Sequence, residues 1–112
     1  MSYLPSLGYK CSKLVIEIMT AIVNDGKKVS VNNGEDWIIL PTNNLSHIVN
    51  NLNSRNKDLI RIYCTKNRSK VKVGWLEITY DNNLDQPLSI ITKHADNDYI
   101  QQLLAPIYDS WE

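Results

Sequence analysis

The alternation of apolar and polar residues predicts a sheet in the second half of the chain. Residues 58–65 and 71–81 form two consecutive strand-like segments, and residues 87–92 form a third. In the first segment apolar residues are nearly continuous, which is typical of a central strand covered on at least one face. In the second segment the alternation changes phase at Gly74, and such a change at a glycine predicts a β-bulge.

A helix is predicted over residues 10–24 from the spacing of its apolar residues. Its polar residues fall in one narrow stripe, formed by Lys13, Glu17, Thr20 and Asn24. The apolar remainder covers about two-thirds of the circumference, whereas an ordinary surface helix needs about 100°. Two interpretations fit this wide arc: a central helix flanked by two others, or a helix that also forms a homodimer interface. The candidate residues for that dimer interface are Val15, Met19, Ile22 and Val23.

A β-hairpin is predicted between the first and second helices. Its strands are residues 28–31 and 36–40, and residues 32–34 between them read Asn-Asn-Gly. Asn-Gly favours a hairpin because both residues tolerate positive φ. Pro41 is expected to end the second strand, since proline donates no backbone hydrogen bond.

Two more helices follow from capping residues and apolar stripes. The second is predicted from a cap at Thr42 or Asn43 to about residue 53. The third begins at a cap at Asp96 or Asn97, where a side-chain oxygen satisfies free N–H groups. Both helices carry one clean apolar stripe, which predicts that each packs on the sheet by one face.

The third helix contains Pro106, which predicts a kink or a fresh helical turn at that position. The order of elements is then α-β-β-α-β-β-β-α. It predicts a single α+β domain over residues 1–112, with two layers and a mixed or antiparallel sheet of about five strands. The helices are expected mainly on one face of that sheet.

Composition and charge narrow the functional classes. The formal net charge is zero, so attraction of the whole molecule to nucleic acid or to an anionic membrane is not indicated. The N-terminus has no basic region before an apolar run, and the apolar segment 14–23 is too short to span a bilayer, which predicts a cytoplasmic protein. Cys11 and Cys64 are too few for a disulfide scaffold and are predicted to be reduced thiols.

No motif with a chemical mechanism is present. The glycines are isolated, which excludes a phosphate loop, and no zinc-ligand spacing exists, so neither a cofactor nor a metal ion is expected. Residues 94–98 contain one histidine and two aspartates, and acidic residues at a helix start account for them better than metal ligation does. We assign no catalytic residue, and no motif supports an enzymatic activity.

Charge is unevenly distributed along the chain. Between residues 53 and 72 lie seven cations and one acid, whereas from residue 81 to residue 112 lie six acids and one base, Lys93. The candidate partner-binding residues are Arg61, Lys66, Arg68, Lys70, Lys72 and Trp75. Four roles fit them: gripping nucleic-acid phosphates with Tyr63 or Trp75 available for stacking, meeting an acidic protein surface, meeting the acidic end of another copy, or protecting a strand edge from aggregation.

The three tryptophans have a simpler expectation. Trp37 and Trp75 lie in predicted strands and Trp111 lies in the third helix. Packing in the core is expected for each of them, and an exposed one becomes a candidate interface anchor.

Three segments carry a resemblance to a known group. They are residues 34–37 (Gly-Glu-Asp-Trp), residues 74–82 (Gly-Trp-Leu-Glu-Ile-Thr-Tyr-Asp-Asn) and residues 103–106 (Leu-Leu-Ala-Pro). They resemble small uncharacterised α+β proteins encoded by prophages and mobile gene cassettes. The resemblance implies a setting in which small proteins bind or inhibit host machinery, and it implies no catalytic residue.

The sequence therefore leads to two functional hypotheses and leaves a small-molecule enzyme open as a third class. The first is a non-catalytic accessory or protein-binding module, with a protein partner and with a homodimer through the first helix. The alternative is a small nucleic-acid-binding protein, or a toxin-like ribonuclease, that uses the basic hairpin of residues 55–72 and His94.

Overall fold

Three helices and a five-stranded antiparallel sheet form the protein in the computed structural model, which describes residues 9–53, 56–80 and 86–111. The elements are α1 (Tyr9–Asn24), β1 (Lys28–Asn32), β2 (Trp37–Thr42), α2 (Leu45–Asn50), β3 (Lys57–Lys66), β4 (Ser69–Thr79), a 3-10 helix (Pro87–Ile90), β5 (Ile91–His94) and α3 (Asp98–Trp111). The predicted α+β class and element order are confirmed. None of the helices in these ranges is long and apolar enough to cross a membrane.

The strands lie in the order β2-β1-β3-β4-β5, and every neighbouring pair is antiparallel. The nearly continuous apolar strand β3 occupies the centre, as its pattern predicts. Strands β2 and β5 form the two edges. Pro41 lies inside β2 and does not end it, because an edge strand tolerates a residue that cannot donate a ladder hydrogen bond.

The predicted hairpin between β1 and β2 is confirmed, but its loop is longer than a two-residue turn. Positive φ is found at Gly34 and not at Asn33. The Asn33 side chain instead closes the loop, because its Oδ1 accepts hydrogen bonds from the N–H groups of Glu35 and Asp36 at 3.0 and 2.9 Å.

One face of the sheet packs against all three helices. Alternate residues of the strands point to this face, and the apolar side chains of α1, α2 and α3 join them in one core. The largest fully buried side chains of this core are Tyr80, Leu14, Ile18, Met19, Ile22, Ile48, Leu52, Ile60, Ile62, Leu76 and Ile78. We call this side of the sheet the covered face.

Helix α1 is the central helix, with contacts to α2, to α3 and to β1. Of the candidate dimer-interface residues, Val15, Met19 and Ile22 are fully buried inside the chain itself, and Val23 is half-buried. Packing within one chain therefore accounts for the wide apolar arc. A homodimer through α1 stays a prediction.

Two predicted elements need correction. Residues 87–92 do not form one strand: a 3-10 helix comes first, with the Ser89 N–H donating to the Gln86 carbonyl oxygen at 2.9 Å, and β5 begins at Ile91. Helix α2 begins later than expected because β2 extends through Thr42, and it ends at Asn50 and not near residue 53. Its cap is Asn44, whose Oδ1 accepts a hydrogen bond from the His47 N–H at 3.1 Å.

Helix α3 is capped by Asn97, one of the two predicted caps, whose Oδ1 accepts a hydrogen bond from the Ile100 N–H at 3.0 Å. It continues through Pro106 to Trp111 as one element. Its apolar stripe packs on β4 and α1. At its end, the Trp111 indole N–H donates a hydrogen bond of 2.8 Å to Glu17 Oε2 of α1.

Candidate functional site

The opposite face of the sheet carries aromatic and basic side chains. On β3, Ile60 and Ile62 belong to the covered face, so Arg61 and Tyr63 project to the other side. Trp75 of β4 lies directly across from Arg61 and is half-buried on the same side. We call this side the open face.

A β-bulge brings Lys72 to the open face beside Trp75. Ile62 pairs with Gly74, but the next residue, Tyr63, pairs with Lys72, so Val73 is an extra residue in β4. Residues three apart in an unbroken strand point to opposite faces, and the extra residue puts Lys72 and Trp75 on one face. The bulge predicted at the change of phase is thereby confirmed, one residue before Gly74.

Arg61 reaches across the sheet to Trp37. The guanidinium carbon lies 4.6 Å from the centroid of the Trp37 ring, a cation–π contact between β3 and the edge strand β2. Trp37 is 44% exposed, so the expectation of core packing is wrong for this residue. Trp37 lies on the edge strand β2, where it pairs with Asn32, and its side chain is on the open face. No second layer among the described residues covers it there.

These side chains form one surface. We call Trp37, Arg61, Tyr63, Lys72 and Trp75 the open-face patch. Its centre is a depression of about 240 Å³ lined by Leu59, Arg61, Lys72 and Trp75. Of the candidate binding residues, the structure brings Arg61, Lys72 and Trp75 together here. Trp37 is not among the predicted partner-binding residues, because its place beside Arg61 depends on strand order rather than on local sequence.

The other candidates lie at the end of the β3–β4 hairpin. Lys66 pairs with Ser69, which leaves Asn67 and Arg68 as a two-residue turn with φ of 51° and 66°. Two successive positive φ angles define a type I′ turn, whose twist matches that of the flanking strands. We call Lys66, Arg68 and Lys70 the hairpin tip; all three are exposed.

The strands that carry the open-face patch and the hairpin tip contain a run of positive charge. The segment from residue 59 to residue 76 contains five cations and no acid. Two acids flank this segment. Asp58 is fully buried, and Glu77 forms an ion pair of 3.6 Å with Lys57. Within the described ranges, no ion pair involves the cations of the hairpin tip.

Of the groups proposed for ribonuclease chemistry, His94 does not join this surface, and neither does the nearby Asp96. His94 pairs with Leu76, whose side chain belongs to the covered face, and its Nδ1 lies 2.9 Å from the Ala95 carbonyl oxygen. Asp96 accepts a hydrogen bond of 2.7 Å from Gln101 Nε2 at the start of α3. In the part of the chain that the structure describes, no three His, Cys, Asp or Glu side chains meet to hold a metal ion.

A larger depression, of about 790 Å³, lies between the start of α1, the 3-10 helix and the end of α3. Its lining includes Lys10, Gln86 and Trp111. We assign no site there, because Lys10 and Gln86 adjoin the ranges 1–8 and 81–85, which lie outside the described residues.

Comparison of the chain with protein-family models, with curated proteins and with solved structures finds no match. The resemblance to proteins of prophages and gene cassettes therefore stays a prediction. A functional conclusion has to come from the chemistry of the open face and the hairpin tip.

Proposed function

We propose that this protein is a non-catalytic binding module that holds an anionic macromolecule against its open face and hairpin tip. The observation that carries the proposal is the run of five cations without an acid from residue 59 to residue 76. Such a run creates a local positive field on a molecule whose formal net charge is zero. Both hypotheses drawn from the sequence, an acidic protein surface and a nucleic acid, predict an anionic ligand here.

Two matched double variants test the proposal. Lys70→Glu/Lys72→Glu reverses two exposed cations of β4, and Lys10→Glu/Lys13→Glu reverses two exposed cations of α1. Affinity for three anionic probes is measured against salt concentration: heparin, a polyglutamate peptide and a single-stranded oligonucleotide. We expect the β4 variant to lose at least about tenfold in affinity for a bound probe, with a shallower salt dependence, because fewer counterions are released.

The α1 variant is expected to bind as the parent does, because its lysines lie on the other side of the sheet. Equal losses of affinity for the two variants contradict the proposal, because they would show that binding depends on net charge and not on the position of the cations. Absence of binding to all three probes at low salt also overturns it.

A further inference from the structure

Resting on the proposed function, we infer that the anionic ligand is a single-stranded nucleic acid, with bases stacked on Trp75 and Trp37 and with phosphates held by Lys70 and Lys72. The patch combines flat aromatic surfaces with cations on one sheet face. Sites that bind single strands without sequence preference use this combination. A ligand with charge alone, such as polyglutamate, has no ring to stack on the aromatic side chains.

The aromatic surfaces are held in place by contacts within the sheet. Tyr63 Oη accepts a hydrogen bond of 3.4 Å from the Ser30 hydroxyl, which is 2% exposed on this face. Trp75 is half-buried between Leu59, Arg61 and Lys72, around the depression at the centre of the patch. Rings fixed in this way lose little conformational freedom when a base stacks on them.

Arg61 adds a further flat surface to the open-face patch. Its guanidinium is planar and weakly hydrated, and its carbon lies 4.6 Å from the centroid of the Trp37 ring. A guanidinium that covers an aromatic ring can stack on a base and donate to a phosphate at the same time. In the residues that the structure describes, no carboxylate pairs with Arg61, so its donors stay available for the ligand.

The cations form a path beside these surfaces. Lys70 and Lys72 pair with Thr65 and Tyr63, so both point to the open face. The bulge at Val73 then places Trp75 on the same face, farther along β4. From Lys70 to Trp75 the path is roughly 15 Å long at the rise of a β-strand. A strand of about four nucleotides matches the small end of the site sizes known for such platforms.

Stacking also selects single strands over duplexes. In a double helix each base face is covered by the next base pair, so it cannot lie on a tryptophan without local unstacking. Every base has a π-face, which predicts weak sequence preference. The described contacts do not distinguish the sugars, so DNA and RNA are separate arms of the test.

The test uses fluorescence anisotropy with four oligonucleotides of about 12 nucleotides, a length within known site sizes. They are oligo(dT), oligo(rU), an abasic strand with the same phosphates, and a DNA duplex. We expect the base-bearing single strands to bind about fivefold or more tightly than the abasic strand, because each stacked base contributes at least that factor. Oligo(dT) against oligo(rU) then identifies the sugar.

Three variants locate the stacking. Trp75→Leu and Trp37→Leu keep an apolar side chain but remove the ring, and Trp111→Phe changes a tryptophan on the other side of the sheet. We expect the first two to weaken oligo(dT) binding about fivefold or more while leaving abasic binding unchanged. Since Trp37 is 44% exposed, its replacement leaves the core intact, which keeps the test valid if Trp75→Leu fails to fold.

The outcomes separate the two proposals. Equal affinity for abasic and base-bearing strands, or tighter binding of the duplex, overturns the inference and leaves the polyanion-binding function standing. Tightest binding to polyglutamate overturns it in favour of an acidic protein partner. Absence of binding to every strand, to heparin and to polyglutamate at low salt overturns both proposals.

Discussion

The Tyr80 hydroxyl donates a hydrogen bond of 2.7 Å to Asp58 Oδ2, and the two residues are 1% and 0% exposed. The Asn53 N–H donates to the same oxygen at 2.7 Å. Asp58 Oδ1 is buried without a hydrogen-bond partner in the described residues. A carboxyl group at the start of the central strand is thus held by two donors but removed from water.

This pair predicts how stability depends on pH. Burial raises the pKa of Asp58, and the bonds from Asn53 and Tyr80 offset part of that shift. A carboxyl whose folded pKa is raised contributes stability below its unfolded pKa, about 3.9, and loses that contribution as pH rises through the folded pKa. Asp58→Asn keeps an acceptor oxygen and cannot ionise.

We therefore expect the free energy of unfolding of Asp58→Asn, relative to the parent, to increase with pH from about 4 upward and then to level off. Urea unfolding at a series of pH values measures this difference. Asp109→Asn, which replaces an exposed aspartate of α3, is the matched control for the removal of one carboxylate. A difference for Asp58→Asn that is constant across pH would contradict the interpretation.

Arg68 is predicted to lower the free energy of unfolding. It occupies the second position of the type I′ turn with φ of 66°, a conformation that costs a non-glycine residue about 1 kcal/mol. Arg68→Gly should raise the free energy of unfolding by about that amount and also weaken binding of anionic probes. Arg68→Asn, which tolerates positive φ better than arginine does, should weaken binding equally with a smaller gain in stability. Unchanged or lower stability for Arg68→Gly would show that the turn is not strained.

Gly74 is predicted to be required for the approach of α3 to the sheet. A Cβ atom at this position would lie 2.7 Å from both Cγ1 and Cδ1 of Ile100, which is fully buried. Gly74→Ala should therefore lower the free energy of unfolding by about 1–3 kcal/mol. Ile100→Val removes Cδ1, so the double variant should lose less than the sum of the two single losses. Strict additivity in urea unfolding would rule out this contact as the cause.

The hydrogen bond between Trp111 and Glu17 is predicted to stabilise the end of α3 on α1. Glu17→Ala leaves the partly buried indole N–H without its acceptor at 2.8 Å and should cost about 1–2 kcal/mol. Glu17→Gln retains an acceptor oxygen and should lose less than half of that. Thermal unfolding of the two variants measures the difference. Equal losses would mean that packing, and not the hydrogen bond, accounts for the effect.

Much of this fold follows from local sequence. The apolar spacing in α1 and α3, the continuous apolar run of β3 and the cap at Asn97 each depend on residues close together in the chain. The bulge in β4 is also visible in the sequence, because an extra residue changes the phase of the alternation between apolar and polar residues. The prediction of a strand at Pro87–Ile90 was wrong, because a short apolar run after a proline fits a strand and a 3-10 turn equally well.

By itself, the sequence determined the class of fold, the elements and the separation of charge, because these depend on composition and on period. Only the tertiary structure decided that α1 buries most of its apolar arc within one chain, and which sheet face stays open. It also decided that Trp37 lies beside Arg61. That contact requires β1 to lie between β2 and β3, and strand order depends on distant pairings that no local pattern encodes.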